Sequence, residues 1–404
     1  MKSWSQVIGI TNICTTILFS IALASRTEKN SIVRPATTVG ELAELSGYQR
    51  QTISMYENGK STPIDISVIM NLSRILNFPP QFFTDQSVKL SSGSTYFRAL
   101  LTTNKKYRNQ QEQKMEFVAA LYSFIQEYVD FPELNLPEIP CDVSPEEAAG
   151  ILRKHWGLGD RPISNLIYTV EENGIIVTSF KTETDDVDAF SKMIEIEGEQ
   201  RYFIGYSSNK TSAARIHFDV AHELGHICLH GWSEDVESLS KEEFKEREEQ
   251  AHRFAAAFLL PESTFRRDVI AGPYSLPYYK QLKQKWKVSM AAMIRRAYTL
   301  NIISADDYQM LVRTMQRRSI WKNEPLDDVL ITSEPSLLRT SVMMLLSEKV
   351  FTPKEFVDEL SFDFGLSLYS EEIEHLLNLP ENTLQVNRVL AFPKMMINKN
   401  SKEN

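Results

Sequence analysis

The stretch ARIHFDVAHELGHICLH, residues 214–230, decides how this chain reads. Taken as a helix, it sets His222 and His226 four residues apart, so both imidazoles leave one face at a separation that lets two nitrogens bind one tetrahedral zinc ion. Glu223 lies one residue along, turned away from coordination yet within reach of an attacking water, which is the place for a general base. Catalytic zinc takes three protein ligands and keeps one position open, so a third ligand has to come from elsewhere. The metzincin spacing is excluded, because Trp232 stands where its third histidine would fall. Only Cys14, Cys141 and Cys228 occur, too few and too scattered for a thiolate site or a disulfide framework; a reducing, cytoplasmic compartment is favoured, and the metal must be held by histidine and carboxylate. A second helical run, REEQAHRFAAAFLLP at 247–261, puts Glu248 and His252 on one face and is closed by Leu260-Pro261, while Glu246 and Glu249 read as solvated surface charge. His230 continues the face of His222 and His226. One rigid helix cannot wrap three successive turns around an ion, so His230 reads as a cap or as a support for a ligand.

Around this core the chain has 404 residues, 42% hydrophobic content and a net charge of -9, which fits two or three ordinary domains and excludes general affinity for nucleic acid. No glycine-rich phosphate loop occurs, which removes nucleotide-driven chemistry. At the N-terminus, Lys2 precedes an apolar run from Val7 to Ala24 that superficially matches a signal peptide. Thr11, Asn12, Thr15, Thr16 and Ser20 interrupt it, and the expectation is a buried helix or an atypical start rather than export or a membrane span. Residues 38–60, TVGELAELSGYQRQTISMYENGK, then split at Ser46-Gly47 into two short helical patterns, the outline of a helix-turn-helix. Its second helix begins with Arg50, Gln51 and Thr52, long donors and acceptors able to reach base edges, and Asn58 and Lys60 suit phosphate contact.

Between these regions, Met115, Val118, Leu121, Ile125 and Val129 mark one stripe of a long amphipathic helix, preceded by the basic residues Arg98, Lys105, Lys106, Arg108 and Lys114. The linker PELNLPEIP leads to a capping box at Ser144, Pro145 and Glu147, where a new domain begins. Helices there are followed by the strand IIVTSF and by strands at about 188–196 and 201–206 joined by a turn at Gly198, a small antiparallel sheet beside helices. The expected fold is therefore α+β: residues 1–85 as an all-helical helix-turn-helix domain, 86–143 as a basic helical bridge, 144–330 as the metal-site domain and 331–404 as a helical C-terminal region.

LAELSGYQRQTISMYENGKSTP, followed by IMNLSRILNFPPQFF, resembles the Xre and phage-repressor class of helix-turn-helix domains. That resemblance implies base or phosphate contact by Arg50, Gln51 and Thr52. The usual first helix of the class is not recognisable in SRTEKNSIVRPATTV, and residues 15–30 are expected in its place. AHELGHICLH and EEQAHRFAAAFLLP together look like the two signatures of the ImmA/IrrE family of metallopeptidases, and FRAL and DDVDAFS are similar to its longer Xre-fused members. The family resemblance implies a zincin-like fold, Zn2+ as cofactor and Glu248 as third ligand. His252 stands where the family usually has Asn or Asp, placed either to orient a ligand or to bind metal itself.

Limited regulatory proteolysis follows from the resemblance: a zinc endopeptidase cutting a repressor-type protein, or its own chain, in a regulator that binds a specific operator DNA. A homodimer is compatible with this, and no membrane partner is implied. The rival expectation is a non-enzymatic DNA-binding repressor that uses the HExxH region as a metal or signal sensor.

Overall fold

Thr38 opens the first helix with a reciprocal cap: its hydroxyl accepts from the Glu41 amide at 3.2 Å, and the Glu41 carboxylate accepts from the Thr38 amide at 2.6 Å. Helix α1 (Val39–Ser46) ends at Gly47, whose φ of 75° is the left-handed turn that a side chain would resist. The chain then enters α2 (Arg50–Glu57) and α3 (Ile66–Leu76), and Leu42, Ile53, Leu72 and Leu76 meet in the small core between them. Asn71 donates to the carbonyl of Ser46 at 3.1 Å, fixing α3 against the end of α1. This is the helix-turn-helix that the sequence leads one to expect. The computed structural model describes residues 38–57, 64–84, 91–97, 105–180, 189–209, 212–231 and 239–385. The apolar N-terminal segment, the replacement first helix at 15–30, Asn58, Lys60 and Arg98 lie outside them.

A sheet forms the middle layer, with strands β1 (Ser91–Phe97), β2 (Ile176–Phe180), β3 (Ala189–Ile196) and β4 (Glu199–Ser207) in the order β1-β3-β4-β2. β3 and β4 are a tight hairpin turned at Glu197 and Gly198, with φ of 53° and 85°, the twist that suits a two-residue connection. The sheet is not purely antiparallel as expected: β2 pairs with β4 in parallel, Ile176 opposite Phe203. β2 lies beyond β4 rather than beside β3, and a strand antiparallel to β3 but separated from it by β4 must run with β4.

Residues alternate between two buried faces. Phe180, Phe190, Ile194 and Phe203 face one hydrophobic core, while Val177, Ala189, Ile204 and Tyr206 face the other. Helix α4 (Lys105–Ile125) lies on the first face. Its expected stripe is present, with Met115, Val118, Leu121 and Ile125 fully buried, but Phe117, Ala120, Tyr122 and Phe124 are buried too, so the helix has no solvated face there. Phe117 meets Phe82 beside the helix-turn-helix, and Phe124 packs on Phe356 of the C-terminal helices.

Helices α5 (Pro145–His155), α6 (Leu166–Glu172), α7 (Ala213–Leu229), α8 (Lys241–Leu259), α9 (Glu262–Val269), α10 (Leu276–Trp286), α11 (Met290–Thr299) and α12 (Ala305–Arg317) contribute to the second core. The C-terminal helices α13 (Leu337–Ser347), α14 (Pro353–Phe362) and α15 (Ser370–Leu376) close the first. They are tied to β2 through Thr178 Oγ1, which donates to the carbonyl of Leu376 at 3.2 Å, and Ser179 Oγ, which donates to Asn378 Oδ1 at 2.7 Å. No described helix is long and apolar enough to cross a membrane.

Candidate metal centre and helix-turn-helix

Helix α7 is buried almost throughout, from Ala213 to Ile227, so its placement is set by packing rather than by an amphipathic stripe. Its first turn is held by a charged clamp. Ser212 Oγ donates to Asp327 Oδ1 at 2.6 Å, and the buried Lys283 ammonium lies 2.6 Å from Asp327 and 2.8 Å from Glu324. The Glu324 carboxylate also accepts from the amides of Met290 and Ala291, so α7, α10 and α11 share one fully paired network. Helix α8 begins at a Ser240–Glu243 capping box and carries Glu242 and Glu243 in its first turn, where carboxylates offset the helix dipole. Where α7 meets α8, Gly225 removes the obstacle: a Cβ built there would lie 3.2 Å from both Cα and O of Ala251.

That close approach brings three sequence-predicted residues together. His222 Nε2 lies 3.1 Å from His226 Nε2 and 3.4 Å from Glu248 Oε2, and His226 Nε2 lies 3.2 Å from Glu248 Oε1. Zinc bonds of about 2.0–2.1 Å in tetrahedral geometry separate neighbouring ligand atoms by roughly 3.3–3.4 Å, so this triangle of two nitrogens and one carboxylate, each nitrogen near a different oxygen, suits such an ion. The donor chemistry suits it as well. Burial holds the pKa of His222 well below its usual value, so the ring is neutral and offers a lone pair. For Glu248, burial pushes upward, but the hydrogen bonds from His222 and His226 outweigh it and hold the carboxyl below its ordinary range. Because His222 is neutral near pH 7, its hydrogen bond and not its charge acts on Glu248 there.

His252 packs edge-on against His222, with ring centroids 4.4 Å apart, and its Nδ1 lies 2.7 Å from the carbonyl of Glu248. A carbonyl only accepts, so Nδ1 carries the hydrogen of that bond. Single ligand atoms of His222, Glu248 and His252 lie within 4.8 Å of one another. The tighter triangle with His226 is the better match to zinc, with His252 as its neighbour. His222 Nδ1 is buried without a hydrogen-bond partner. Glu223 is fully buried, and Ser191 Oγ of β3 donates to its Oε2 at 2.6 Å. No sequence signal marks Ser191, although it is the last residue of DDVDAFS, and none marks Gly225 or Gln250. His230 sits beyond His226, its Nδ1 3.0 Å from His226 Nδ1, and burial lowers its pKa to about 3.

At the other end, Arg50 and Gln51 are exposed at the start of α2 and Thr52 is half-buried. The outer edge of β3 is taken by β1, whose Tyr96 stands opposite Ser191 in register.

Residues 170–298 match the IrrE N-terminal-like domain family of peptidases, and residues 37–83 match a helix-turn-helix family. No curated protein matches the chain. The matches fall in the order that the sequence motifs have, and the first spans His222, Glu223, His226 and Glu248.

Proposed function

We propose that this chain, which joins a helix-turn-helix to an IrrE N-terminal-like peptidase domain, is a cytoplasmic transcriptional regulator with a zinc-dependent endopeptidase site. The observation that carries this is the grouping of His222 Nε2, His226 Nε2 and the Glu248 carboxylate, a triangle in which the nitrogens are 3.1 Å apart and lie 3.4 and 3.2 Å from Oε2 and Oε1 respectively. A zinc ion held there supplies a Lewis acid to the scissile carbonyl and lowers the pKa of the attacking water. Glu223, buried and next to His222 in the chain, takes the proton of that water and hands it to the leaving amine. Ser191 donates to Oε2 of Glu223, which fixes the carboxylate and lowers the basicity of that oxygen, so Oε1 is the proton-carrying atom. The dry surroundings strengthen each of these charge interactions.

The substrate is a repressor-type protein or the chain itself. Its own chain is favoured by β1, an extended segment between the two matched regions that already runs antiparallel beside β3, the strand whose Ser191 donates to Glu223. The exposed Arg50 and Gln51, with Thr52, read a specific DNA operator. A sensor without peptidase activity is the second reading, favoured by His252, whose nitrogen close to His222 offers a way to fill the position that water needs.

Elemental analysis of the purified chain tests the metal assignment, with about one zinc per molecule expected. Full zinc retention by a His222→Ala, His226→Ala double variant sinks it, and full retention by Glu248→Ala moves the third ligand elsewhere.

A further inference from the structure

A chain of hydrogen bonds leads from the surface of α8 to a proposed metal ligand on α7. Gln250 Nε2 lies 3.3 Å from Glu246 Oε1, Gln250 Oε1 lies 3.1 Å from His230 Nε2, and His230 Nδ1 lies 3.0 Å from His226 Nδ1. The direction of every bond follows from its first member. A carboxylate only accepts, so Glu246 draws the amide NH2 of Gln250 and leaves the amide oxygen facing His230. That oxygen only accepts, so the hydrogen of the neutral His230 ring sits on Nε2 and its Nδ1 carries the lone pair. The Nδ1 of His226 must then be the donor of the last bond.

We infer that Glu246, Gln250 and His230 are positioning residues, a relay that keeps a proton on His226 Nδ1 and holds the ring with its Nε2 toward His222 and Glu248. The relay rests on His226 being a metal ligand, as proposed above, and adds what prepares it. A ligating histidine held through its other nitrogen is better oriented and more basic. His222 has no such support, since its Nδ1 is buried without a hydrogen-bond partner, so the two histidines of the motif are not equivalent. The relay also couples the helices: Glu246 and Gln250 stand on α8, His226 stands on α7 and His230 caps its C-terminal end.

Two measurements on the full-length protein test this. The first is zinc affinity by competition with a chelating dye, in wild type, Gln250→Met and Gln250→Glu, with metal-free thermal midpoints recorded alongside. Gln250→Met keeps the shape but loses the acceptor, and zinc binding should weaken about 10- to 100-fold with little change in the metal-free midpoint. Gln250→Glu keeps an acceptor facing His230 and should bind zinc as wild type does. The second is the tautomer of His226, read from long-range nitrogen–proton couplings in metal-free and zinc-loaded wild type, where Nδ1 should be protonated in both. Wild-type affinity in Gln250→Met, failure of Gln250→Glu to rescue, or a His226 Nδ1 without a proton in the metal-free protein each overturns the relay. A wild-type chain that binds no zinc overturns the metal assignment instead, and the metal-free tautomer still decides the relay, even if a variant fails to fold.

Discussion

Gly225→Ala is the smallest change that should damage the site without touching a ligand. The added Cβ would stand 3.2 Å from Ala251 Cα, Ala251 O and Phe254 Cδ1. Carbon atoms rest at about 3.5–4.0 Å, so α7 and α8 have to separate by roughly 0.3–0.8 Å, and two of the three obstacles are backbone that cannot rotate away. Overpacking of this kind costs about 1–3 kcal/mol, and replacing a mid-helix glycine by alanine returns about 1 kcal/mol, which leaves a net loss of about 0–2 kcal/mol in metal-free stability. The site is less forgiving. Ala251 stands three residues from Glu248 on the same helix, and ligand atoms tolerate errors of only about 0.2 Å, so separation of the helices should lower zinc affinity by about tenfold or more. Zinc competition and metal-free denaturant melts in wild type and variant make the comparison. Unchanged zinc affinity in a folded Gly225→Ala protein would refute the idea that close helix approach sets the triangle.

His217 gives a pH signature outside the triangle. Burial lowers its pKa from 6.5 to about 4, so the folded chain keeps it neutral while the unfolded chain takes a proton below 6.5; its contribution is complete above pH 6.5 and is lost as pH falls through 4. Metal-free wild type should therefore lose about 3 kcal/mol more than His217→Gln between pH 7 and pH 4 in denaturant melts, and parallel losses would contradict the shift. Its Nε2 lies 2.8 Å from Thr332 Oγ1, a partner that glutamine can still reach. Arg50→Ala should weaken operator binding by about 1–3 kcal/mol in anisotropy titrations if that side chain reads a base, whereas equal affinity for every duplex in both proteins would leave the helix-turn-helix without a specific operator.

His222 and His226 were legible because helical geometry alone makes residues four apart share a face. Glu248 needed the family resemblance, since a ligand supplied by a second helix depends on how two helices cross, and no periodicity within either one encodes the crossing. The same gap explains Gly225: a missing side chain acquires meaning only when the backbone of Ala251 arrives beside it. Ser191 shows the sheet analogue, because a serine on a buried strand has no signature until a carboxylate is packed on that face. The hairpin turn at Gly198 was readable from local chemistry, but the parallel pairing of β2 with β4 is a choice of neighbour made by tertiary packing. For α4, an apolar stripe was visible; what the stripe could not reveal is that the remaining faces are covered by the helix-turn-helix and by α13–α15.

Replacement of Glu223 by glutamine tests the central claim most directly, because it keeps the size of the side chain and a hydrogen-bonding group for Ser191 while removing the base. The measurement is cleavage, by mass spectrometry, of co-expressed repressor-type proteins and of the chain itself, in wild type and Glu223→Gln side by side, with zinc content and DNA affinity recorded for both. Cleavage by wild type, reduced about a hundredfold to ten-thousandfold in a variant that keeps its zinc and its fold, is the expected result. Cleavage that persists undiminished in the variant contradicts Glu223 as the base, and absence of cleavage in both, with DNA affinity that changes on zinc removal, contradicts the peptidase and leaves the sensor.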